Sequence, residues 1–378
     1  MAEINELLEK KQEQGLLRKL NPVALRKQGR VWQNNKQLVD FCSNDYLGLS
    51  EHASLKEAAI KAIAEYGSSS SASRLASGDL ILHHQLEENI ASWKNKAAAL
   101  VFNSGYQANT GIIPALYSSS DVIFLDRLAH ASMVDGVILS GARLFRFQHN
   151  DPTHLEDLLK KQRGKFKQAL IATESIFSMD GDRAPLKELV ELKEKYDCRI
   201  FLDEAHATGL FGKTGSGLAQ ELGVEEKIDF LMGTFSKALG SFGAYLAADK
   251  DVIDYLVNTC RSFIYSTGLP APIIAVNLAA IEIVKNEPQR RQKVLQNAEY
   301  LRNGLSGKGF TVKGQSQIVP LITGGNLATL KLSEKLKKAG FWALVVRPPT
   351  VPQGQARLRF SLNYWHDRQT LNDVIGAL

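Results

Sequence analysis

Between Ala98 and Ala248 six short apolar runs recur at intervals: Ala98–Phe102, Asp121–Leu125, Ala169–Thr173, Arg199–Asp203, Phe230–Gly233 and Ala244–Ala248. None alternates apolar with polar residues, so each reads as a strand buried on both faces, and stretches of helical periodicity such as Pro185–Tyr196 lie between them. That pattern constrains the chain to the α/β class, with a mostly parallel sheet carrying helices on both faces. Before it, Ile4, Leu7, Leu8, Leu16, Leu17 and Leu20 have helical spacing up to Pro22. Val31–Gln33 and Leu38–Phe41, joined by Asn34-Asn35, read as a hairpin. After it comes a long helical region, roughly 271–306. The strands Thr311–Val312, Ile318–Ile322, Leu344–Arg347 and Leu358–Ser361 follow, with helices near Asn326–Ala339 and His366–Leu378, as a smaller C-terminal α/β domain. The division expected is 1–47 as an N-terminal helix and hairpin, 48–281 as the large domain and 282–378 as the small one. No internal repeat is visible, and the serine-rich run 67–73 reads as a loop.

Composition excludes several classes. With 44% hydrophobic and 23% charged residues in 378, the chain is neither disordered nor fibrous. No apolar run reaches the roughly 18 residues that span a bilayer. The polar start Met1–Glu6 is unlike a targeting segment, which points to the cytoplasm. Cys42, Cys198 and Cys260 are far apart, which argues against a disulfide framework and a thiolate zinc site. The net charge of +6 fits nucleic acid or phosphorylated small molecules equally. The main basic cluster, 160–167, reads as a solvated helix end.

Three readings compete for Asp203-Glu204-Ala205-His206. By letters it is a helicase box, and 207–214 loosely resembles a phosphate loop. A working phosphate loop lies between a strand and the helix it opens, ahead of the acidic strand. Here the segment follows the acidic residues directly, and Ala207 replaces the first glycine. A metal reading would use Asp203, Glu204 and His206, or His149, Asp151 and His154, but no metal-ligand spacing accompanies them. The third reading joins Asp203 and His206 to Thr234-Phe235-Ser236-Lys237. Both lie at the carboxyl ends of strands, where open α/β sheets bind ligands. A buried carboxylate, a hydroxyl and a lysine facing one pocket are what pyridoxal phosphate requires: the lysine for a Schiff base, the carboxylate to keep the ring nitrogen protonated.

Together with Asn44–Leu49, His130-Ala131-Ser132, Phe177–Asp182, Ile264–Thr267, Arg347–Pro352 and Ala356–Arg359, these segments make the chain resemble the α-oxoamine synthases, pyridoxal-phosphate enzymes of the aspartate-aminotransferase fold. The resemblance covers nearly the whole chain, and its C-terminal segments favour the oxononanoate branch. It implies pyridoxal 5'-phosphate as cofactor, no metal, and a catalytic set of Lys237, His130 and Asp203. It further implies cofactor contacts from Gly105, Tyr106, Ser178, His206, Thr234, Ser266 and Thr267, the last two reaching a neighbouring subunit's site, and substrate contacts from Arg18, His130, Thr350 and Arg359. The implied reaction is a decarboxylative condensation of L-alanine with a pimeloyl thioester by a cytoplasmic homodimer with shared sites. The carrier is coenzyme A or an acyl-carrier protein, and no nucleic acid or membrane is involved. A glycine-using sister enzyme, such as 2-amino-3-ketobutyrate CoA ligase, is the alternative. Two segments depart from the family: the loop before Arg74 is serine-rich rather than glycine-rich, and Ser241-Phe242-Gly243 is bulkier than usual.

Overall fold

The computed structural model describes residues 2–378 and divides into two compact units. One comprises Leu49–Phe177 and Ala184–Pro288; the other comprises the chain up to Gly48, Ser178–Arg183 and Gln289–Leu378.

The first unit holds a seven-stranded sheet, in the order Ala98–Phe102, Ala244–Ala248, Phe230–Thr234, Arg199–Asp203, Ala169–Glu174, Val122–Asp126 and Arg143–Phe147. Only Ala244–Ala248 runs antiparallel to its neighbours. The mostly parallel sheet with helices on both faces is thus the observed architecture, and its central strands are buried along their whole length. Leu100, Ile112, Leu125, Met133, Phe201 and Leu246 form part of one core cluster, each fully buried side chain contributing about 1.5–3 kcal/mol. The Arg143–Phe147 strand was not anticipated. It is an edge strand in which Arg143 and Arg146 stay exposed, so it lacks the apolar continuity of the others.

The second unit carries a six-stranded sheet, ordered Leu25–Lys27, Arg30–Gln33, Lys36–Phe41, Phe341–Val346, Ala356–Ser361 and Ile318–Gly324. Its one parallel pair joins Lys36–Phe41 to Phe341–Val346. The hairpin turns on Asn34 and Asn35, both at positive φ (48° and 58°), as a two-residue turn matched to strand twist requires. Three expected elements differ. The N-terminal helix is Ala2–Glu13 and stops where Gly15 takes φ 64°, while Arg347 donates to the Gly15 and Leu17 carbonyls and fixes the chain beyond it. The region 271–306 breaks before Pro288 into Ala271–Asn286 and Pro288–Gly307, since a residue preceding proline is disfavoured in the helical region. Thr311–Val312 makes only an isolated bridge, Val312 to Leu321. No helix among the described residues is long and apolar enough to cross a membrane.

Candidate active site

Asp203, His206, Thr234 and Lys237 all lie at or just beyond the carboxyl ends of two adjacent parallel strands, Arg199–Asp203 and Phe230–Thr234. Asp203 is 6% exposed; its Oδ1 accepts the Ala205 amide at 2.9 Å and its Oδ2 accepts Asn109 Nδ2 at 3.1 Å. Asn109 Nδ2 also donates to Ser132 Oγ at 2.9 Å, and Ser132 Oγ lies 2.7 Å from His130 Nδ1. His130 caps the Ala131–Ser140 helix through Nδ1, which accepts the Ser132 amide, and its ring stands edge-on to Tyr106 at 6.4 Å. A continuous hydrogen-bonded chain therefore runs from the Asp203 carboxylate to the His130 imidazole.

Lys237 is half-buried in a turn closed on itself by Phe235 N to Gly243 O (2.9 Å) and Gly240 N to Lys237 O (2.9 Å). Asn277 Nδ2 secures the bulky Ser241-Phe242-Gly243 segment by donating to the Phe242 carbonyl at 3.1 Å. Gly105 and Tyr106 open the Gly105–Leu116 helix, whose cap is Ser104. A Cβ on Gly105 would lie 2.9 Å from Thr234 Cγ2, so this glycine lets the helix start and the strand end meet. Ser266 Oγ accepts Gln107 Nε2 at 2.9 Å, and the Thr267 carbonyl accepts Asn103 Nδ2 at 2.9 Å. The serine-rich loop pairs with this turn: Ser73 bridges Thr267, and Gly268 N donates to Ala72 O at 3.0 Å.

Four expected site residues belong to the other unit. There Arg18 Nη2 donates to Thr350 Oγ1 at 2.9 Å, bringing two of them together. Arg359 is 2% exposed and donates to the Ser178 carbonyl (2.6 Å), Ser361 Oγ (2.6 Å), Tyr46 Oη (3.2 Å) and, through both arms, Asn44 Oδ1 (3.3 Å each).

The competing motifs resolve into structural roles. Glu204 is 1% exposed and pairs with buried Lys94 at 2.8 Å; Lys94 Nζ also donates to Thr208 Oγ1 (3.3 Å) and the Ser216 carbonyl, and Glu204 Oε1 accepts the Ala219 amide at 3.0 Å. Burial alone would lower the Lys94 pKa, but the Glu204 charge and its hydrogen bonds outweigh burial and raise it. Residues 207–214 form a turn closed by Gly209 N to Gly215 O, and the next helix begins only at Leu218. His149 pairs with Asp126 at 3.0 Å, Asp151 caps the Pro152–Gln162 helix, and His154 Nδ1 accepts the Gln148 amide. Sequence reasoning missed Lys94, Asn109 and Glu174. The last had a signal, since an acid ending an apolar strand at the carboxyl edge is the same pattern that drew attention to Asp203.

The model of the aminotransferase class I and II family matches residues 36–378. The chain belongs to that family. It is 48% identical over 99% of its length to 8-amino-7-oxononanoate synthase of Geobacter metallireducens, covering 96% of that protein, and 46% identical over 98% to the Geobacter sulfurreducens enzyme of the same name, covering 95%. Among solved structures, serine palmitoyltransferase of Sphingomonas wittichii superposes with a TM-score of 0.93 at 30% identity, covering 100% of this chain and 94% of that one. The 8-amino-7-oxononanoate synthase of Francisella tularensis superposes at 0.79 and 28% identity, covering 90% and 96%. Within the family the chain thus groups with the 8-amino-7-oxononanoate synthases, a pyridoxal-phosphate-dependent acyltransferase family, and its cofactor is pyridoxal 5'-phosphate. The residues present fit that group. Thr234 Oγ1 is buried with no partner among the described residues, beside the helix start at Gly105, which leaves a hydroxyl and a helix N-terminus for a phosphate.

Proposed function

We propose that the chain condenses L-alanine with a pimeloyl thioester to give 8-amino-7-oxononanoate, carbon dioxide and the free thiol carrier. The observation that carries this reading is the joint placement of Asp203, Lys237 and the unpartnered Thr234 hydroxyl at one strand edge, in a chain 48% identical to an enzyme of that name. The bound cofactor supplies an electron sink for the carbanion formed at the alanine α-carbon. Lys237 Nζ would hold the cofactor and would take the proton from the alanine α-carbon and return it. The Asp203 carboxylate, held by Asn109 and the Ala205 amide, keeps the ring nitrogen protonated. His130 covers the ring and polarises the thioester carbonyl. Ser178 and His206 hold the phenolic oxygen, and Thr234 with the amides of Gly105 and Tyr106 holds the phosphate.

Arg359 receives the alanine carboxylate. Its two 3.3 Å contacts to Asn44 are its longest, and a carboxylate exchanges them for shorter charge-assisted bonds. Arg18 and Thr350, already bonded to each other, contact the acyl substrate. The decisive assay measures carbon dioxide and thiol release with alanine or glycine against pimeloyl, acetyl and succinyl thioesters on both coenzyme A and acyl-carrier protein. Turnover preferring glycine with a short acyl chain would refute the assignment.

The enzyme works as a cytoplasmic homodimer in which Ser266 and Thr267 reach the other subunit's phosphate. The tie of Ser266 to Gln107, two residues past the Gly105 helix start, favours a second reading in which both hydroxyls serve their own chain. Mixing a Lys237→Ala chain with a Ser266→Ala/Thr267→Ala chain separates the two. Shared sites give a hybrid with one intact site and activity above either parent. No recovery after demonstrated subunit exchange means that each site is built from a single chain.

A further inference from the structure

Arg74 follows the serine-rich loop, and its side chain is 8% exposed. Two acids engage the guanidinium: Nε donates to Asp79 Oδ1 at 2.7 Å, Nη1 donates to Glu87 Oε1, and Nη2 donates to Glu87 Oε2 at 3.0 Å. Glu87 lies on the Ile81–Trp93 helix, and its Oε1 also accepts the Val101 amide at 2.9 Å. Val101 belongs to the Ala98–Phe102 strand, which leads through Asn103 and Ser104 into the helix start at Gly105. Arg74 is thereby fixed to the strand that delivers that helix start.

Its other side meets the Ser266–Gly268 turn. The guanidinium carbon lies 5.5 Å from the centre of the Phe263 ring, just ahead of the turn. A Cβ on Gly268 would lie 3.2 Å from Arg74 Cγ, so the turn rests directly on this side chain. The loop carrying Arg74 runs beside the turn: Ser73 bridges Thr267, Ala72 O accepts the Gly268 amide at 3.0 Å, and Ser70 Oγ donates to the Leu269 carbonyl. From the helix start, Asn103 Nδ2 donates to the Thr267 carbonyl and Gln107 Nε2 to Ser266 Oγ, both at 2.9 Å. A hydroxyl oxygen that accepts from Gln107 keeps its own proton to donate.

We propose that Arg74 is a positioning residue for the cofactor phosphate: by locking the serine-rich loop to Glu87 and Asp79, it sets where Ser266 and Thr267 present their hydroxyls. The proposal rests on the assignment of those hydroxyls to a phosphate made above, and it holds whichever subunit the phosphate belongs to. The planar fork is what the site uses. A guanidinium reaches Asp79 and both oxygens of Glu87 at once, whereas a lysine ammonium is a compact point charge without that fixed orientation.

The test titrates the full-length apoprotein with pyridoxal 5'-phosphate and, separately, with pyridoxal, which lacks the phosphate, and reads binding from the visible absorption. Arg74→Lys keeps a positive charge beside Glu87 and so preserves the fold, while Arg74→Met removes it. Affinity for pyridoxal phosphate is expected to fall about tenfold in Arg74→Lys and about ten- to hundredfold in Arg74→Met, the range for one charge-assisted hydrogen bond lost, with pyridoxal affinity within about twofold of wild type. On a Ser266→Ala/Thr267→Ala chain either substitution should weaken binding by less than about twofold further, because the hydroxyls it positions are gone. Equal losses for the two ligands would overturn the proposal, since they mark a general loss of structure. The same holds if the loss persists in full without the two hydroxyls, or if both Arg74 variants bind pyridoxal phosphate as wild type does. A Ser266→Ala/Thr267→Ala chain with wild-type affinity for pyridoxal phosphate would refute the phosphate assignment itself, and the proposal with it.

Discussion

Replacing Lys94 by Met tests the energetics beneath the Asp203 turn. The Lys94 and Glu204 side chains are each 1% exposed and 2.8 Å apart. The substitution keeps most of the volume and removes the charge, leaving the Glu204 carboxylate buried with only the Ala219 amide in place of its ion pair, while Thr208 and the Ser216 carbonyl lose a donor. Removing one partner of a buried pair costs about 3–5 kcal/mol, because the remaining charge keeps its desolvation penalty without the Coulombic return. Replacing both members with apolar residues costs far less by the same principle, so Lys94→Met/Glu204→Leu should be more stable than Lys94→Met alone by at least about 1–2 kcal/mol. Urea unfolding of the apoprotein, followed by tryptophan fluorescence, reads this directly: Trp93 adjoins Lys94 and donates through Nε1 to the Thr214 carbonyl. A single-variant loss below about 1 kcal/mol would refute the reasoning, since it falls in the range of an exposed pair. Strict additivity of the two single losses would do the same, since it denies that the residues are coupled.

Two further outcomes follow from buried histidines and close-packed glycines. Burial lowers the His366 pKa to about 3, and burial together with the Arg74 charge lowers that of His83 to about 4. Unfolded histidine titrates near 6.5, so the unfolded state binds more protons between these values and stability falls as pH drops from about 6.5 towards 4. At pH 5 the His366 share is about 2 kcal/mol; His366→Phe, which keeps the ring stacked 4.2 Å from Phe41, should flatten the urea-midpoint profile over that range. Gly136→Ala would place a Cβ 2.6 Å from the Asn109 carbonyl oxygen and is expected to cost about 1–3 kcal/mol, with weaker cofactor binding because Asn109 holds Asp203. Gly307→Ala, with nothing within 4 Å, is the neutral control; equal effects of the two on unfolding and cofactor affinity would deny the close packing a role.

The sequence was informative where several residues repeat one physical demand. Short apolar runs without polar alternation, repeated at intervals between helical stretches, mark doubly covered strands, and the central strands formed as read. The Arg143–Phe147 strand escaped because an edge position tolerates arginines, which erases the pattern. Asp203 and Lys237 were legible because each follows such a strand at the edge where ligands bind. Lys94 and Asn109 were not. Each is one polar residue on a helix surface, and its partners, Glu204 110 residues away and Asp203 94 residues away, become neighbours only after the sheet has assembled. The helix at 2–13 stopped short of Leu20 because a single glycine dihedral, invisible in an apolar periodicity, ended it.

The parallel pairing of Lys36–Phe41 with Phe341–Val346 also governs the order in which the chain can fold. Val39 meets Phe341 roughly 300 residues later, and ribosomes add about 5–20 residues per second, so the N-terminal hairpin waits about 15–60 s for its neighbour while the seven-stranded sheet can form in the interval. During that wait Leu38, Val39 and Phe41, all buried in the finished fold, have no sheet to cover them, and the open strand edge is exposed to chaperones and to other nascent chains. A circular permutant that carried the first forty-eight residues at its C-terminus would shorten that separation roughly fourfold, and is expected to fold faster and aggregate less.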